Sequence, residues 1–345
     1  MILEGPPRKK KSWITRGLFA FLAVVISGIG AAEGVARFYL GLGDPPLMIV
    51  DPKIEYMFKP GGIYSRFGNV VRYNSYGMRS DEFPKTKQIK DEVRVLFIGD
   101  SIIEGGAQVD QPLLATERVK VGLAEKLQKP VVVGNVSAKS WGPPNMLAYA
   151  ETYGLFDADV CVLVLSSHDV IDIPSFKPIV GVNPDFPDHT PWLAVEEVAT
   201  RYLPRYIPAL RKTDVPPEIP TQAIIQDAED QSMKALGQLI DMLSSAGIPV
   251  LLVQHLEKEE LAGEPLAGHE KIAAVAAGHH ATVIQLGPSL KALQSSGANP
   301  YLDSIHLTVQ GQQALADTVL PAVLSLLKPG NPHAAGVVGK SGIQP

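Results

Sequence analysis

One cysteine in 345 residues rules out an internal disulfide. That residue, Cys161, sits in the apolar run Val160-Cys161-Val162-Leu163-Val164-Leu165, with no basic neighbour to stabilise a thiolate. It reads as a small buried hydrophobe, and its solitude neither requires nor excludes an oxidising compartment. Histidine is sparse, at eight residues, and none falls in a ligand spacing such as H-E-x-x-H. The adjacent pair His279-His280 has no such pattern either, so the sequence points to no metal and no cofactor. Basic charge is scarce outside the amino terminus. Residues 1–37 carry six basic and two acidic side chains, or +4, which leaves −9 of the net −5 for the remainder. An acidic body lacks the basic face that nucleic-acid binding needs. No internal repeat is present. Charged residues at 19% and apolar residues at 46% fit a globular chain with a sizeable core.

The basic string Arg8-Lys9-Lys10-Lys11 precedes an apolar stretch from Gly17 to Ala32 flanked by Arg16 and Glu33. These sixteen residues, at about 1.5 Å each, span about 24 Å, somewhat short of a hydrocarbon core of about 30 Å. Trp13-Ile14-Thr15 extends the span, with Trp13 at the interface, and the chain stays largely apolar to Leu42. Basic residues are retained on the cytoplasmic side, which sends the rest of the chain outward. Two readings of this segment stay open: an uncleaved signal anchor, preferred because the apolar helix continues past Gly30-Ala31-Ala32, and a signal peptide cut at that small-residue site. The sequence thus divides into a basic cytoplasmic segment (1–16), an anchor (17–42), a connecting segment packed on the domain (43–92), a main domain (93–327) and a mobile Gly/Pro/Ala-rich tail (328–345).

The main domain alternates. Strands are expected at 93–98, 130–134, 159–165, 248–254 and 282–286, with helices near 112–128, 144–153, 222–246, 268–278 and 308–327. Strands alternating with helices imply an α/β fold with a parallel sheet covered on both faces. The stretch 172–221, rich in proline and aromatics, interrupts the pattern after a strand's end and would border a site there.

Chemistry is carried by two strings. Gly99-Asp100-Ser101 directly follows the strand Val93–Ile98, and Asp303-Ser304-Ile305-His306 lies near the end of the domain. Together they supply a hydroxyl nucleophile, an imidazole base and a carboxylate to orient it. Ser101 falls at the carboxyl end of a strand, where open α/β sheets bind ligands. Ser101 also suits a helix N-cap, but the two strings in this order favour the triad Ser101, His306 and Asp303. Ser101 is followed by Ile102-Ile103-Glu104-Gly105, so the G-x-S-x-G elbow of α/β-hydrolases is absent.

These strings resemble the SGNH (GDSL) hydrolase family over roughly residues 93–327. Asn74-Ser75-Tyr76-Gly77-Met78-Arg79 is similar to the N-x-x-G-x-R segment that often precedes the G-D-S string in exported members. The resemblance implies a three-layer α/β/α sandwich with a mostly parallel, flavodoxin-like sheet, here preceded by one transmembrane helix. It implies ester hydrolysis or acyl transfer through an acyl-enzyme. It also implies oxyanion donors from the Ser101 backbone, from a glycine N–H and from an asparagine amide. Two of these positions depart from the pattern. Aligning Asn135 with the second block puts Ser140 in the glycine's place, with Gly142 as the fallback donor. The third block reads Ser166-Ser167-His168-Asp169, so His168 stands where the asparagine would be and could donate from its ring.

The expected protein is a membrane-anchored serine esterase or O-acyltransferase outside the bacterial cytoplasmic membrane. Its expected substrate is an acylated envelope glycan or other ester, its partners the membrane and envelope polysaccharide machinery, and Trp141, Trp192 and Phe176 a wall for the substrate. The rival reading is a weak or inactive binding or assembly subunit of the same kind of system, supported by the altered second and third strings.

Overall fold

The structure, a computed structural model, describes residues 11–207 and 222–328. Arg8, Lys9 and Lys10, residues 208–221 of the proline-rich stretch, and the tail from 329 lie outside the described residues. The chain divides into two compact units. Among the described residues, the smaller contains 11–45 and 190–207, and the larger contains 46–189 and 222–328. The stretch 172–221, read from sequence as one insertion, is therefore split between them.

The larger unit opens with two antiparallel pairs. β1 (Met48–Asp51) pairs with β2 (Glu55–Phe58), and β3 (Ile63–Arg66) with β4 (Asn69–Arg72). Five strands follow: β5 (Val93–Gly99), β6 (Val131–Ser137), β7 (Val160–Leu165), β8 (Val250–Gln254) and β9 (Thr282–Gln285). They form one sheet in the order β6-β5-β7-β8-β9, with every neighbouring pair parallel. Counted along the chain this is the second-first-third-fourth-fifth order of a flavodoxin-like sheet.

Parallel strands need crossovers, and helices Ala115–Leu127, Pro143–Tyr153, Gln222–Ser245 and Gly268–Gly278 supply them. Side chains alternate along each strand, so the sheet has two apolar faces. Val95, Phe97, Val160, Val162 and Val164 face one cluster with Val119, Leu123, Leu315 and Val319 from helices Ala115–Leu127 and Val309–Leu326. Leu96, Ile98, Cys161, Leu163 and Leu165 face the other, with Met146, Tyr149, Leu239, Ile240 and Ile272. Both faces are covered, which accounts for the continuous apolar run of β7. Cys161 is fully buried there, and burial pushes its thiol pKa up, away from nucleophilic use. The antiparallel pairs contribute to the second face through Met48, Tyr56, Met57, Phe58, Val71 and Tyr73.

The strand order reverses between β5 and β7. A crevice forms outside the carboxyl ends of strands at such a point. Asp100 and Ser101 leave β5 there, and Ser166 to Asp169 leave β7.

In the smaller unit, helix Lys11–Gly34 continues as a wider π-helical turn, Val35–Tyr39. Residues Thr15–Tyr39 have mean hydropathy 2.0 and none of their apolar window is buried, so this helix is long and apolar enough to cross a membrane. Short helical segments run from Ala194 to Tyr206.

Candidate active site

Asp100 caps the four-residue helix Ser101–Glu104, its Oδ1 accepting the Ile102 N–H at 2.9 Å. This starts the helix at Ser101. The turn beyond is held from below. Arg79, fully buried, donates through its guanidinium to the carbonyls of Glu104, Gly106 and Val109. Glu104, also buried, lies 3.6 Å from that guanidinium and accepts the Tyr73 hydroxyl at 2.5 Å. Asn74 shapes the preceding turn by accepting the N–H groups of Tyr76 and Met78, and Gly77 supplies the φ of +73° that the turn requires. Thus the Asn74–Arg79 segment, likened in the sequence to the N-x-x-G-x-R segment that precedes the G-D-S string, is the support of the Ser101 loop. Gln312 locks the same loop from helix Val309–Leu326, donating to Ile102 O and accepting from Ala115 N, both at 2.9 Å.

The structure brings Ser101, His306 and Asp303 into one hydrogen-bonded chain. His306 Nε2 lies 2.9 Å from Ser101 Oγ, and His306 Nδ1 lies 2.7 Å from Asp303 Oδ2. The other carboxylate oxygen of Asp303 accepts the backbone N–H groups of His306 and Ile305, at 2.8 and 3.0 Å. Partial burial pushes the Asp303 pKa up, but these two N–H groups and the imidazole outweigh it and hold the carboxyl below its usual range. An ionised Asp303 fixes the tautomer with hydrogen on Nδ1, leaving Nε2 free to accept from Ser101.

The loop carrying His306 is braced by a residue that the sequence reading passed over. His255 follows β8 and is fully buried, and its Nε2–H donates to Ile305 O at 2.9 Å. Burial pulls its pKa down to about 4, so it stays neutral. Its ring meets Tyr301 edge-on, and the Tyr301 hydroxyl donates to Leu256 O. The signal was positional: a titratable residue one step beyond the carboxyl end of a parallel strand.

The donor positions are more mixed. Ser140 has φ +52°, the left-handed conformation that glycine occupies without strain and other residues rarely adopt. Gly142 is not the fallback donor, because its N–H is taken by Asn145 Oδ1 at 3.1 Å at the start of helix Pro143–Tyr153. A Cβ on Gly142 would lie 2.0 Å from Asp172 O, so glycine is required there by close backbone approach. Asn135 is buried within β6, donating to Ile103 O and accepting from Ser137 Oγ.

His168 lies among carboxylates. Its Nδ1 is 3.2 Å from Glu257 Oε1, and its Nε2 is 3.5 Å from Asp100 Oδ2 and 3.7 Å from Asp172 Oδ2. Burial pulls its pKa down, but Asp100, Asp169 and Asp172 outweigh that and raise it to about 10. The carboxylates thus favour the charged form of the ring. Asp172, partly desolvated and near Asp100, is raised to about 6, and fully buried Asp169 is raised well above the carboxylate range. Asp169 accepts the Ser166 N–H at 2.6 Å, while its Oδ1 has no hydrogen-bond partner among the described residues. Ligand atoms of Asp100, His168 and Asp169 lie within 4.8 Å of one another, a grouping able to hold a cation that no local spacing announced.

One member of the expected aromatic wall, Trp141, needs correction. Trp141 is 1% exposed and packs on Tyr149, with its indole N–H donating to Tyr56 O at 2.9 Å, so it is core and not a surface for substrate. Phe176 is half-exposed on a loop tied to Glu55, whose Oε1 accepts from Ser175 and Phe176. That loop lies outside the hydrogen-bonded network of the triad. Trp192 belongs to the smaller unit.

No family model and no curated protein matches the chain. Among solved structures, it is similar to a member of the lipolytic G-D-S-L family from Veillonella parvula, at 14% identity and TM-score 0.41, covering 67% of this chain and 98% of that one. It is similar also to a lipase/acylhydrolase from Enterococcus faecalis, at 14% identity and TM-score 0.42, covering 69% of this chain and 99% of that one. A third is a two-domain esterase active on acetylated mannans, at 12% identity and TM-score 0.44, covering 70% of this chain and 52% of that one. Likenesses this loose leave the reading of function to the site itself.

Proposed function

We propose that this protein is a serine-dependent ester hydrolase or acyltransferase of the SGNH type. The observation that carries the reading is the continuous hydrogen-bonded chain Ser101–His306–Asp303. Ser101 Oγ attacks the acyl carbonyl while His306 Nε2 takes its proton. Asp303 keeps the imidazole oriented and stabilises it once charged. The tetrahedral oxyanion draws on the Ser101 and Ser140 backbone N–H groups, with His168 contributing its positive charge. Collapse expels the alcohol, which receives its proton from His306, and leaves an acyl-Ser101 ester. Water or a sugar hydroxyl, deprotonated in turn by His306, resolves it. Hydrolysis and transfer share every step but that acceptor.

The amino-terminal helix supports a single-pass anchor, and the basic string Arg8-Lys9-Lys10-Lys11 before it supports a catalytic unit outside the cytoplasmic membrane. An acylated envelope glycan is the substrate class that fits this location, alongside envelope polysaccharide machinery as partner. The carboxylates around His168 favour the runner-up, a binding or assembly subunit with little turnover, because a ring committed to them is a weaker oxyanion donor. The test is release of acetate from acetylated polysaccharide and from a p-nitrophenyl ester by wild type and by Ser101→Ala. Turnover of both by wild type alone supports the enzyme. Glycan binding that is unaffected by Ser101→Ala, without turnover by either protein, supports the runner-up.

A further inference from the structure

We propose that residues 190–207 form a second membrane-contacting element, which lies in the headgroup region of the bilayer beside the end of the amino-terminal helix. The inference rests on the reading of that helix as a membrane anchor. The apolar run ends at Ala32, and the first ionisable side chains beyond it, Glu33 and Arg37, pair with each other at 2.7 Å. Such a pair is costly in hydrocarbon and settles where the chain meets water and headgroups.

Both side chains also hold the 192–195 backbone. Glu33 Oε2 accepts the Val195 N–H at 3.0 Å, and Arg37 donates to Trp192 O at 3.1 Å. Glu197, buried, accepts the Gly43 N–H at 2.7 Å and closes the unit. Segment 192–195 therefore sits at the depth of Glu33 and Arg37, within the reach of one side chain. Trp192 is 94% exposed there, with Leu193, Tyr206 and Ile207 also exposed; on the helix end itself, Phe38 and Tyr39 are exposed as well. Tryptophan and tyrosine favour this boundary because an apolar ring and a polar handle are satisfied together. The occupant is lipid by continuity: the helix leaves its whole apolar window uncovered, so lipid surrounds it on every side and reaches the element tied to its end.

The test uses the full chain in vesicles of phosphatidylethanolamine and phosphatidylglycerol carrying bromine either near the headgroup or near the chain ends. Tryptophan emission is read in Trp13→Phe, in Trp192→Phe and in the double variant. Buried Trp141, the only tryptophan left in the double variant, gives the unquenched baseline. The proposal predicts a loss of emission in Trp13→Phe that is larger for shallow than for deep bromine and vanishes in the double variant. Quenching of Trp13, read in Trp192→Phe, with no quenching of Trp192 would overturn it while sparing the anchor. Absence of quenching at both tryptophans would overturn the anchor and this inference together.

Discussion

Replacing Asp303 by asparagine probes the site with the smallest change of shape. The carboxylate makes three contacts: the imidazole Nδ1–H at 2.7 Å through one oxygen, and the N–H groups of Ile305 and His306 through the other. An amide has one acceptor and one donor end. If its oxygen keeps the two backbone N–H groups, its NH2 faces Nδ1 and forces hydrogen onto Nε2, which then cannot accept the Ser101 proton. If its oxygen faces Nδ1, two backbone N–H groups meet a donor and the loop loses its anchor. The first arrangement preserves more hydrogen bonds and is expected. Catalysis then relies on the rare correct tautomer, and kcat should fall about 10³- to 10⁴-fold, or about 4 to 5.5 kcal/mol in the barrier. Asp303 is exposed enough for water to stand in, so the melting temperature should move little. The assay is kcat on an activated ester, with Tm measured alongside. A kcat within tenfold of wild type at unchanged Tm would refute the orienting role.

Other expectations follow from the same contacts. The raised His168 pKa contributes stability that is fully present below about pH 6.5 and is lost as pH rises toward about 10. Tm of wild type should therefore fall more steeply over that window than Tm of His168→Asn. For catalysis, His168→Ala should lower kcat by about 10²-fold, with partial recovery in His168→Asn; equal kcat in wild type and His168→Ala would remove the residue from the site. Arg79→Met leaves Glu104 buried and unpaired, at a cost of about 3 to 5 kcal/mol, to be read from the urea midpoint. Gly142→Ala places a Cβ against Asp172 O and should cost at least 1 to 3 kcal/mol, roughly, in the same assay. Alkaline phosphatase fused after residue 328 should be active in cells, and an inactive phosphatase with an active cytoplasmic reporter there would reverse the topology.

The sheet was legible because burial on both faces demands apolar strands, and β5 and β7 are apolar almost throughout. Helix Gly268–Gly278 was legible to the residue, bounded by glycines at both ends. Helix Gly287–Ser295 was missed, since nine residues with few apolar positions give little periodicity. In the site, Ser101, Asp303 and His306 stood out because local strings carry them. Arg79 lay in the Asn74–Arg79 string and His255 just past a strand's carboxyl end, but their contacts, like those of Glu257 and Gln312, join distant segments and leave no local trace. Trp141 misled for the opposite reason. It adjoins a site loop in sequence, but the backbone turns at Ser140 and sends the indole into the core. His168 was placed in the right loop, yet its setting comes from Asp100 and Glu257, which only the fold delivers.

The central claim is that Ser101 is a nucleophile activated by His306. Its most direct test is labelling of the full chain by a fluorophosphonate, followed by intact mass and peptide mapping. The account predicts one adduct per chain, on the peptide bearing Ser101, formed in wild type, strongly slowed in His306→Ala and absent in Ser101→Ala. Equal labelling of wild type and Ser101→Ala, or no adduct on wild type that is folded by its melting profile, would contradict it.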